Sequence, residues 1–317
     1  MIGERTVDGL AALTLASSEG GGIEATFVPT AGMVGCSLRH RDQELLGQRD
    51  GLRAYVTQGS TMGIPLLHPW ANRLARFGFQ VAGREVVLDP DSSSLALDPG
   101  GLPIHGLLAA ASRWEVTRRE RTGDGAVLAA RFNFAAYDEL MAAFPFPHEL
   151  LFEAAVSGTT LTIATTVSAS GDATVPISFG YHPYLRLPGL DRAEWEIEIP
   201  VRERLELDDQ MLPTGGRTPV EVESGPLGSR VFDDGYVAPA DSAPFVLAGG
   251  GRRLELCFGN GYPYAQVYAP DDDDVIAYEP MTAPTNALVV GGSDLPLLAP
   301  GDDYRATFSI AVTDVAQ

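Results

Sequence analysis

Apolar side chains fall on every second position in several segments of this 317-residue chain. The clearest segment is the last, where polar or small residues alternate with Tyr304, Ala306, Phe308, Ile310 and Val312. Because successive side chains of a strand point to opposite faces of a sheet, this spacing predicts half-buried β-strands. The same alternation occurs in residues 23–27, 161–165, 195–199 and 254–258.

Apolar residues at helical spacing are scarce. Only the segment AAYDELMAAF, residues 135–144, predicts a helical turn or two, and Pro145 and Pro147 end it. The 35 Gly and 23 Pro are spread between the strand segments, as expected of many short strands joined by turns. The chain shows neither a domain boundary nor a repeat of fixed period. We therefore expect an all-β protein with a single domain over residues 1–317.

The charge balance argues against polyanionic partners. The chain has 22 Lys and Arg against 42 Asp and Glu, a formal charge of −20, so its field repels phosphate backbones and anionic lipid surfaces. No run approaches eighteen consecutive apolar residues, and the first residues, MIGERTVDGLAALTL, lack the basic start and continuous apolar stretch of a signal peptide. We expect a soluble, cytoplasmic protein that binds neither nucleic acid nor membrane.

The possible metal ligands form no recognisable pattern. Cys36 and Cys257 lie far apart in the sequence, which predicts two buried free thiols. The acidic run Asp271–Asp274 lacks the spacing of a calcium loop, so a solvated turn is expected there. No HxH or HExxH pair occurs among the histidines, which are His40, His68, His105, His148 and His182. The sequence therefore predicts no metal centre.

Several polar residues lie in apolar or tightly turned segments, where functional groups are expected. Arg73, next to Asn72, could tie a strand to a loop through a salt bridge or could face a ligand. His105 and His182 lie in turn-rich aromatic settings, and His68 is flanked by Leu and Pro. Each imidazole alone could be structural, but a pair of imidazoles suits general acid and base catalysis near neutral pH. We assign no role to His68.

Carboxylates occur in two such segments. Glu279 follows the apolar run VIAY, where it could cap a turn or act as a base in a closed pocket. Asp233 and Asp234 lie in VFDDGY, which also fits an ordinary turn.

Taken together, these segments resemble the aldose 1-epimerase (galactose mutarotase) family from about residue 20 to residue 313. The order of the pieces also fits that family. The segments that carry the resemblance are ANRLARFGFQVAGREVVL, IHGLL, YHPYLRLPG, DDQMLPTGG, FDDGY and AYEPMTAPTNAL. The resemblance implies a large antiparallel β-sandwich, the galactose mutarotase-like supersandwich, which agrees with the alternation of apolar residues.

The resemblance also implies roles for residues. Glu279 would be the general base and His182 the general acid, while His105 and Arg73 would hold the ring oxygen and neighbouring hydroxyls of a sugar. The segment that carries Arg73 also places Asn72 at the substrate. Asp233 would bind a hydroxyl, with Asp234 as the alternative, and Gln266 would lie close to the sugar. The implied reaction interconverts the α and β anomers of a free hexose and needs no cofactor.

Three other functions stay open at this point. A hexose-6-phosphate 1-epimerase would need a cationic patch, which Arg76 and Arg84 could supply. A non-catalytic carbohydrate-binding protein could use the same fold. A glycoside hydrolase would need two carboxylates at a set separation, whereas only Glu279 stands out in an apolar context. We favour a free-sugar epimerase, and the sequence sets neither the sugar nor the oligomeric state.

Overall fold

The structure, a computed structural model, describes residues 1–18 and 20–315. Strands account for 48% of the residues and helices for 8%, which confirms the all-β prediction. Three sheets contain most of the strands. The five-stranded sheet contains, in spatial order, Ile2–Val7, Leu10–Ala16, Ile23–Val28, Val34–His40 and Gln43–Glu44.

The two larger sheets are also built from antiparallel neighbours. The nine-stranded sheet contains, in spatial order, Glu115–Arg121, Gly125–Asn133, His148–Ser157, Thr160–Ala169, Asp303–Asp314, Arg252–Phe258, Phe245–Gly249, Glu196–Glu198 and Gly225–Pro226. The eight-stranded sheet contains, in order, Pro213–Pro219, Glu203–Leu207, Phe232–Val237, Tyr264–Ala269, Ile276–Met281, Gly180–Tyr181 and Leu66–Leu67, with Tyr184–Leu185 also paired to Ile276–Met281.

Short ribbons and helices complete the fold. The two-stranded ribbons pair Gly78–Val81 with Arg84–Val87, Ala96–Leu97 with Pro103–Ile104, and Val175–Pro176 with Leu297–Leu298. The α-helices are Gly51–Gln58, Asp138–Ala143 and Ala287–Val290, and the 3₁₀ turns are Phe134–Ala136 and Arg192–Glu194. No helix in the described part of the chain is long and apolar enough to cross a membrane.

The core lies between the nine-stranded sheet and the other two large sheets. Phe152 packs edge-on against Phe27 of the five-stranded sheet, with ring centroids 5.5 Å apart. Tyr278 of the eight-stranded sheet packs against Phe245 at 5.2 Å and donates a 2.6 Å hydrogen bond to the Val246 carbonyl. These buried aromatic contacts, and the hydrogen bond of the tyrosine hydroxyl, hold the nine-stranded sheet against the other two sheets. The layers therefore form the antiparallel sandwich that the resemblance implies.

The local predictions hold where the alternation is long. In the last strand, Ala306, Phe308, Ile310 and Val312 are buried while Arg305 is exposed. All five alternating segments contain strands. The predicted helix at 135–144 is confirmed as a 3₁₀ turn and a short α-helix that meet at Tyr137.

The prediction of only one helical segment is wrong, because Gly51–Gln58 and Ala287–Val290 are also helical. The first of these helices buries only Leu52 and Tyr55, and the second only Ala287 and Leu288. Two buried positions are too few to show a 3.6-residue period in the sequence.

The thiol prediction is half right. Both cysteines are free, and burial raises the pKa of Cys36 to about 12. Cys257, however, is only half-buried, because Leu256 and Phe258 on either side of it point into the core and the pleat turns Cys257 outward.

The acidic run Asp271–Asp274 is a turn whose acids are exposed except for half-buried Asp273, as predicted.

Two buried imidazoles form a pair beneath the ribbon that ends at Ile104. His148 Nδ1 donates to the Phe146 carbonyl at 2.6 Å, so the Nε2 of a neutral His148 must accept. His68 Nε2 lies 2.7 Å from that atom and is the donor. Burial lowers the pKa of both rings, to about 4 for His148. Both rings are therefore neutral in the folded protein at neutral pH.

This pair makes the fold sensitive to acid. Below about pH 6.5, His148 binds a proton in the unfolded chain but stays neutral in the folded protein until about pH 4. The free energy of unfolding therefore falls as the pH drops from about 6.5 to about 4. His148 alone contributes about 3 kcal/mol over this range. Denaturant unfolding of wild type and His148→Gln at several pH values measures the difference in slope, and equal slopes would contradict the assignment.

Candidate active site

A cavity of about 620 Å³ opens beside the eight-stranded sheet. Its walls come from four parts of the chain: the segment around helix Gly51–Gln58, the loop after Trp70, the ribbon near residues 95–105, and the face of the sheet. The residues predicted from sequence that line it are Asn72, Arg73, His105, His182, Asp233 and Glu279. These six predicted residues come from five separate segments of the sequence, and the fold brings them together in one cavity.

Glu279 and His182 form a contact at the floor of the cavity. The Nε2 atom of His182 lies 3.2 Å from Oε1 of Glu279, and the two residues are 5% and 2% exposed. The other carboxylate oxygen of Glu279 and Nδ1 of His182 have no hydrogen-bond partner among the described residues. A buried carboxylate with a free oxygen is costly unless it serves a ligand or a reaction.

Burial acts on both members of this pair. Burial raises the pKa of Glu279 well above its usual range, and the Asp233 carboxylate adds to the effect. Burial lowers the pKa of His182, and His105 and Arg49 lower it further. Burial therefore makes the Glu279 carboxylate a stronger base, and the His182 imidazolium a stronger acid, than either group is in water.

His105 faces His182 across the cavity, with ring centroids 5.7 Å apart and ring planes nearly perpendicular. Its backbone has a left-handed φ of 63°, and its N–H donates to the Asn72 carbonyl at 3.0 Å. Burial lowers the pKa of His105 to about 3, and the cations of Arg73 and Arg49 lower it further. His105 is therefore a neutral hydrogen-bonding group at physiological pH.

The ribbon that carries His105 passes very close to His68. A Cβ atom added to Gly106 would lie 2.2 Å from the His68 carbonyl oxygen, and the φ of Gly106 is +78°. Leu107 and Leu108 both donate to this same carbonyl. Only glycine fits here, so the position of His105 depends on Gly106.

We expect Gly106→Ala to lower kcat/KM by about 10²-fold, because the clash must displace the backbone next to His105. Steady-state kinetics of the reaction proposed below measures the effect. Gly83→Ala is the matched control: its φ is +77°, but no atom lies within 4 Å of the added Cβ, and it lies in a remote turn. Wild-type activity in Gly106→Ala would contradict the dependence of His105 on Gly106, and an equal loss in Gly83→Ala would show that the clash is not the cause.

Arg73 lies in the wall of the cavity. Its Nε donates to Oδ2 of Asp98 at 2.8 Å, and one terminal nitrogen donates to Oδ1 of Asn72 at 3.2 Å. The other terminal nitrogen lies 3.7 Å from Oδ2 of Asp233. Arg73 therefore ties the loop to the ribbon through the predicted salt bridge, and its terminal nitrogens also face the cavity.

Gln266 does not line the cavity but supports a residue that does. It lies opposite Glu279 in the register of the sheet, and its amide donates to Oδ1 of Asp233 at 2.6 Å. The neighbouring acid, Asp234, points to the other face of the strand, where it lies 3.7 Å from Arg204. The structure thus brings Asp233, and not Asp234, to the cavity.

Sequence reasoning missed several residues that line the cavity. Tyr184 stacks on His182 with ring centroids 4.0 Å apart, and its hydroxyl is 2.6 Å from that of Thr61. The Arg49 guanidinium lies 5.0 Å from the centroid of the same tyrosine ring and donates to Asp273 at 3.1 Å. The spacing of His182 and Tyr184 was a usable signal, because residues two apart in a strand share a face.

Two other missed residues gave no comparable signal. Asp98 lies in the turn LDPGG, where an acid is ordinary, and Tyr268 alternates within a strand as many core residues do.

The structure does not form the cationic patch that the sequence suggested for a phosphate. Arg76 is exposed and does not line the cavity, and Arg84 donates to the Pro145 carbonyl. Across residues 1–18 and 20–315, no three His, Cys, Asp or Glu side chains cluster as metal ligands would.

The chain superimposes over nearly its whole length on solved structures. A galactose mutarotase-like protein from Clostridium acetobutylicum gives a TM-score of 0.86 at 17% identity, covering 99% of both chains. A galactose 1-epimerase from Lactobacillus acidophilus NCFM gives 0.77 at 13% identity over 100% of this chain and 99% of that chain. An aldose epimerase homologue from C. elegans gives 0.71 at 18% identity over 96% and 99%. The fold is therefore the galactose mutarotase-like antiparallel sandwich.

The sequence model of the aldose 1-epimerase family matches residues 21–311. The protein belongs to the aldose 1-epimerase family, as the resemblance of its motifs predicted. No curated protein matched the sequence.

Proposed function

We propose that this protein is an aldose 1-epimerase that interconverts the α and β anomers of a free hexose. The observation that carries the proposal is the buried contact between Glu279 and His182 at the floor of a polar cavity. A carboxylate can remove a proton from one oxygen of a sugar while a neighbouring imidazolium gives a proton to another. Membership of the aldose 1-epimerase family supports this reading.

Ring opening follows from these two groups. Glu279 takes the proton of the anomeric hydroxyl as His182 protonates the ring oxygen, so the bond between C1 and that oxygen breaks and an aldehyde forms. The neutral imidazole of His105 and the guanidinium of Arg73 hold the ring oxygen and neighbouring hydroxyls, while Asn72 and Asp233 bind further hydroxyls. Gln266 fixes the Asp233 carboxylate from behind.

Ring closure uses the same groups in the opposite direction. After rotation about the bond between C1 and C2, the carboxyl of Glu279 returns its proton to the carbonyl oxygen as His182 takes the proton of the hydroxyl that closes the ring. The proton count of the pair is unchanged at the end of the cycle. The shifts in pKa fit this use, because burial strengthens the carboxylate of Glu279 as a base and the imidazolium of His182 as an acid.

The charges around the cavity favour an unphosphorylated sugar. Its two arginines are already paired: Arg73 with Asp98 at 2.8 Å, and Arg49 with Asp273 at 3.1 Å. Phosphate recognition needs cations that are free to bind the anion. Paired arginines beside carboxylates suit the neutral hydroxyls of a hexose, whose buried polar groups select by matching hydrogen bonds.

Polarimetry tests this proposal. The rotation of freshly dissolved α-glucose and α-galactose is followed with and without the protein, and glucose 6-phosphate is followed in a coupled assay that responds to one anomer. We expect faster equilibration of at least one free sugar. Acceleration with the phosphate alone would move the function to a hexose-6-phosphate epimerase, and acceleration with none of the three would favour a carbohydrate-binding protein.

A further inference from the structure

We propose that Asp98 is a positioning residue of the sugar site, which fixes the guanidinium of Arg73 and so sets the KM for the sugar. This inference rests on the proposed function, because it assigns a role to a residue in the wall of the same site. Asp98 lines the cavity, but both of its carboxylate oxygens are already bonded, so it acts on the sugar through Arg73, whose terminal nitrogens face the cavity.

The carboxylate of Asp98 is held on both of its oxygens. Its Oδ2 accepts from Nε of Arg73 at 2.8 Å, and its Oδ1 accepts from the Leu102 N–H at 2.8 Å. The side chain of Asp98 is only 7% exposed. Burial acts to raise the pKa of Asp98, but the Leu102 N–H and Arg73 outweigh it, so this pKa is lowered and the group is ionised at neutral pH.

The bond to Nε determines where the rest of the guanidinium points. A guanidinium is planar, so holding Nε and one terminal nitrogen fixes the whole fork. Asn72 Oδ1 accepts from one terminal nitrogen of Arg73 at 3.2 Å, and the other lies 3.7 Å from Asp233. The side chain of Arg73 keeps 15% of its surface exposed, toward the cavity. Without Asp98, the fork would lose the hydrogen bond that holds Nε.

Asp98 also joins Arg73 to the ribbon that carries His105. It lies in the turn between strands Ala96–Leu97 and Pro103–Ile104, and the second strand leads directly into His105. The Pro103 carbonyl accepts from the N–H of Leu74, the residue that follows Arg73 in the sequence. The ion pair therefore fastens two sugar-facing groups, the guanidinium and the imidazole, into one unit.

The test compares Asp98→Asn with a remote control. Asparagine keeps the size of the side chain and can still accept from Leu102, but it loses the charge-assisted bond to Arg73. We expect the KM for the sugar to rise at least tenfold while kcat changes less than threefold. Asp294→Asn removes a 2.8 Å pair with Arg217 away from the cavity and should leave both constants unchanged. An unchanged KM in Asp98→Asn would overturn the proposal.

A double-mutant cycle separates positioning from a merely structural role. Lysine cannot donate to Asp98 through Nε, so in an Arg73→Lys background the Asp98→Asn change should alter KM less than twofold. A tenfold change in that background would mean that Asp98 acts through the ribbon and not through Arg73, which also overturns the proposal.

A measurement without sugar keeps this inference distinct from the proposed function. The Nε–H resonance of Arg73, identified by its loss in Arg73→Lys, is expected at a hydrogen-bonded shift in wild type and in Asp294→Asn, and to move or broaden in Asp98→Asn. An unmoved resonance would contradict the positioning role whether or not the protein epimerises a sugar. A moved resonance in a protein with no activity would leave Asp98 as the partner of Arg73 and overturn the proposed reaction.

Discussion

Glu279→Gln is expected to lower kcat by about 10³-fold without unfolding the protein. The amide is nearly the same size as the carboxyl but cannot take a proton from the anomeric hydroxyl. Glu279 is only 2% exposed, and one of its carboxylate oxygens has no hydrogen-bond partner among the described residues. The variant should therefore be at least as stable as wild type, because it removes a buried ionisable group. Polarimetry and thermal unfolding measure the two effects.

The matched control is Glu255→Gln on the nine-stranded sheet, where the carboxylate accepts from Arg253 at 2.7 Å. It makes the same chemical change away from the cavity and should keep wild-type kcat. Near-normal turnover in Glu279→Gln would rule out Glu279 as the base, and a matching loss in Glu255→Gln would point to a general effect of removing a carboxylate.

His182→Asn is expected to lower kcat by about 10²- to 10⁴-fold while KM changes little. Asparagine can still donate a hydrogen bond toward Glu279, but it cannot give up a proton to the ring oxygen. The change also removes the ring that stacks on Tyr184 at 4.0 Å. Steady-state kinetics across a range of sugar concentrations separates the two constants.

Asp233→Asn provides the contrast, because Asp233 is proposed to bind a hydroxyl and not to move a proton. It should raise KM by roughly tenfold or more and change kcat little. A reversed pattern, with kcat lost in Asp233→Asn and KM raised in His182→Asn, would mean that the acid and the binding residue have been exchanged.

The pH dependence of kcat/KM tests the roles of Glu279 and His182 as a base and an acid. The active form holds one proton, so activity is lost when a second proton binds at low pH. Because burial lowers the pKa of His182, this acid limb should lie below the usual histidine range near pH 6.5. An acid limb well above about pH 6.5 would contradict the lowering of the His182 pKa by burial.

The sequence could predict the sandwich because its strands carry their own signal. Apolar residues alternate over the nine residues Tyr304–Val312, so one face of this strand is apolar and packs on the core. A shift of one residue in the strand pairing would turn every apolar side chain to the solvent. Motifs also identified the groups that meet in the cavity, since Asn72, Arg73, His105, His182, Asp233 and Glu279 each lie in an otherwise apolar or tightly turned segment.

Other parts of the site depend on tertiary placement. Asp98 lies in an ordinary turn, and only the path of the ribbon brings its carboxylate to Arg73. Arg49 reaches Tyr184 from a segment with no motif. Gln266 is behind Asp233 because of a register between two strands that no local pattern determines. Helices such as Gly51–Gln58 are too short for their periodicity to appear in the sequence.

The most direct test of the proposed epimerase is proton exchange spectroscopy on equilibrated aldoses. It detects exchange between the H1 resonances of the α and β anomers, and methyl α-glucoside, which has no free anomeric hydroxyl, is the control. We expect the protein to produce exchange peaks for at least one free hexose and to leave the methyl glycoside unchanged. No added exchange with any aldose would contradict the account, and release of methanol from the glycoside would identify a hydrolase instead.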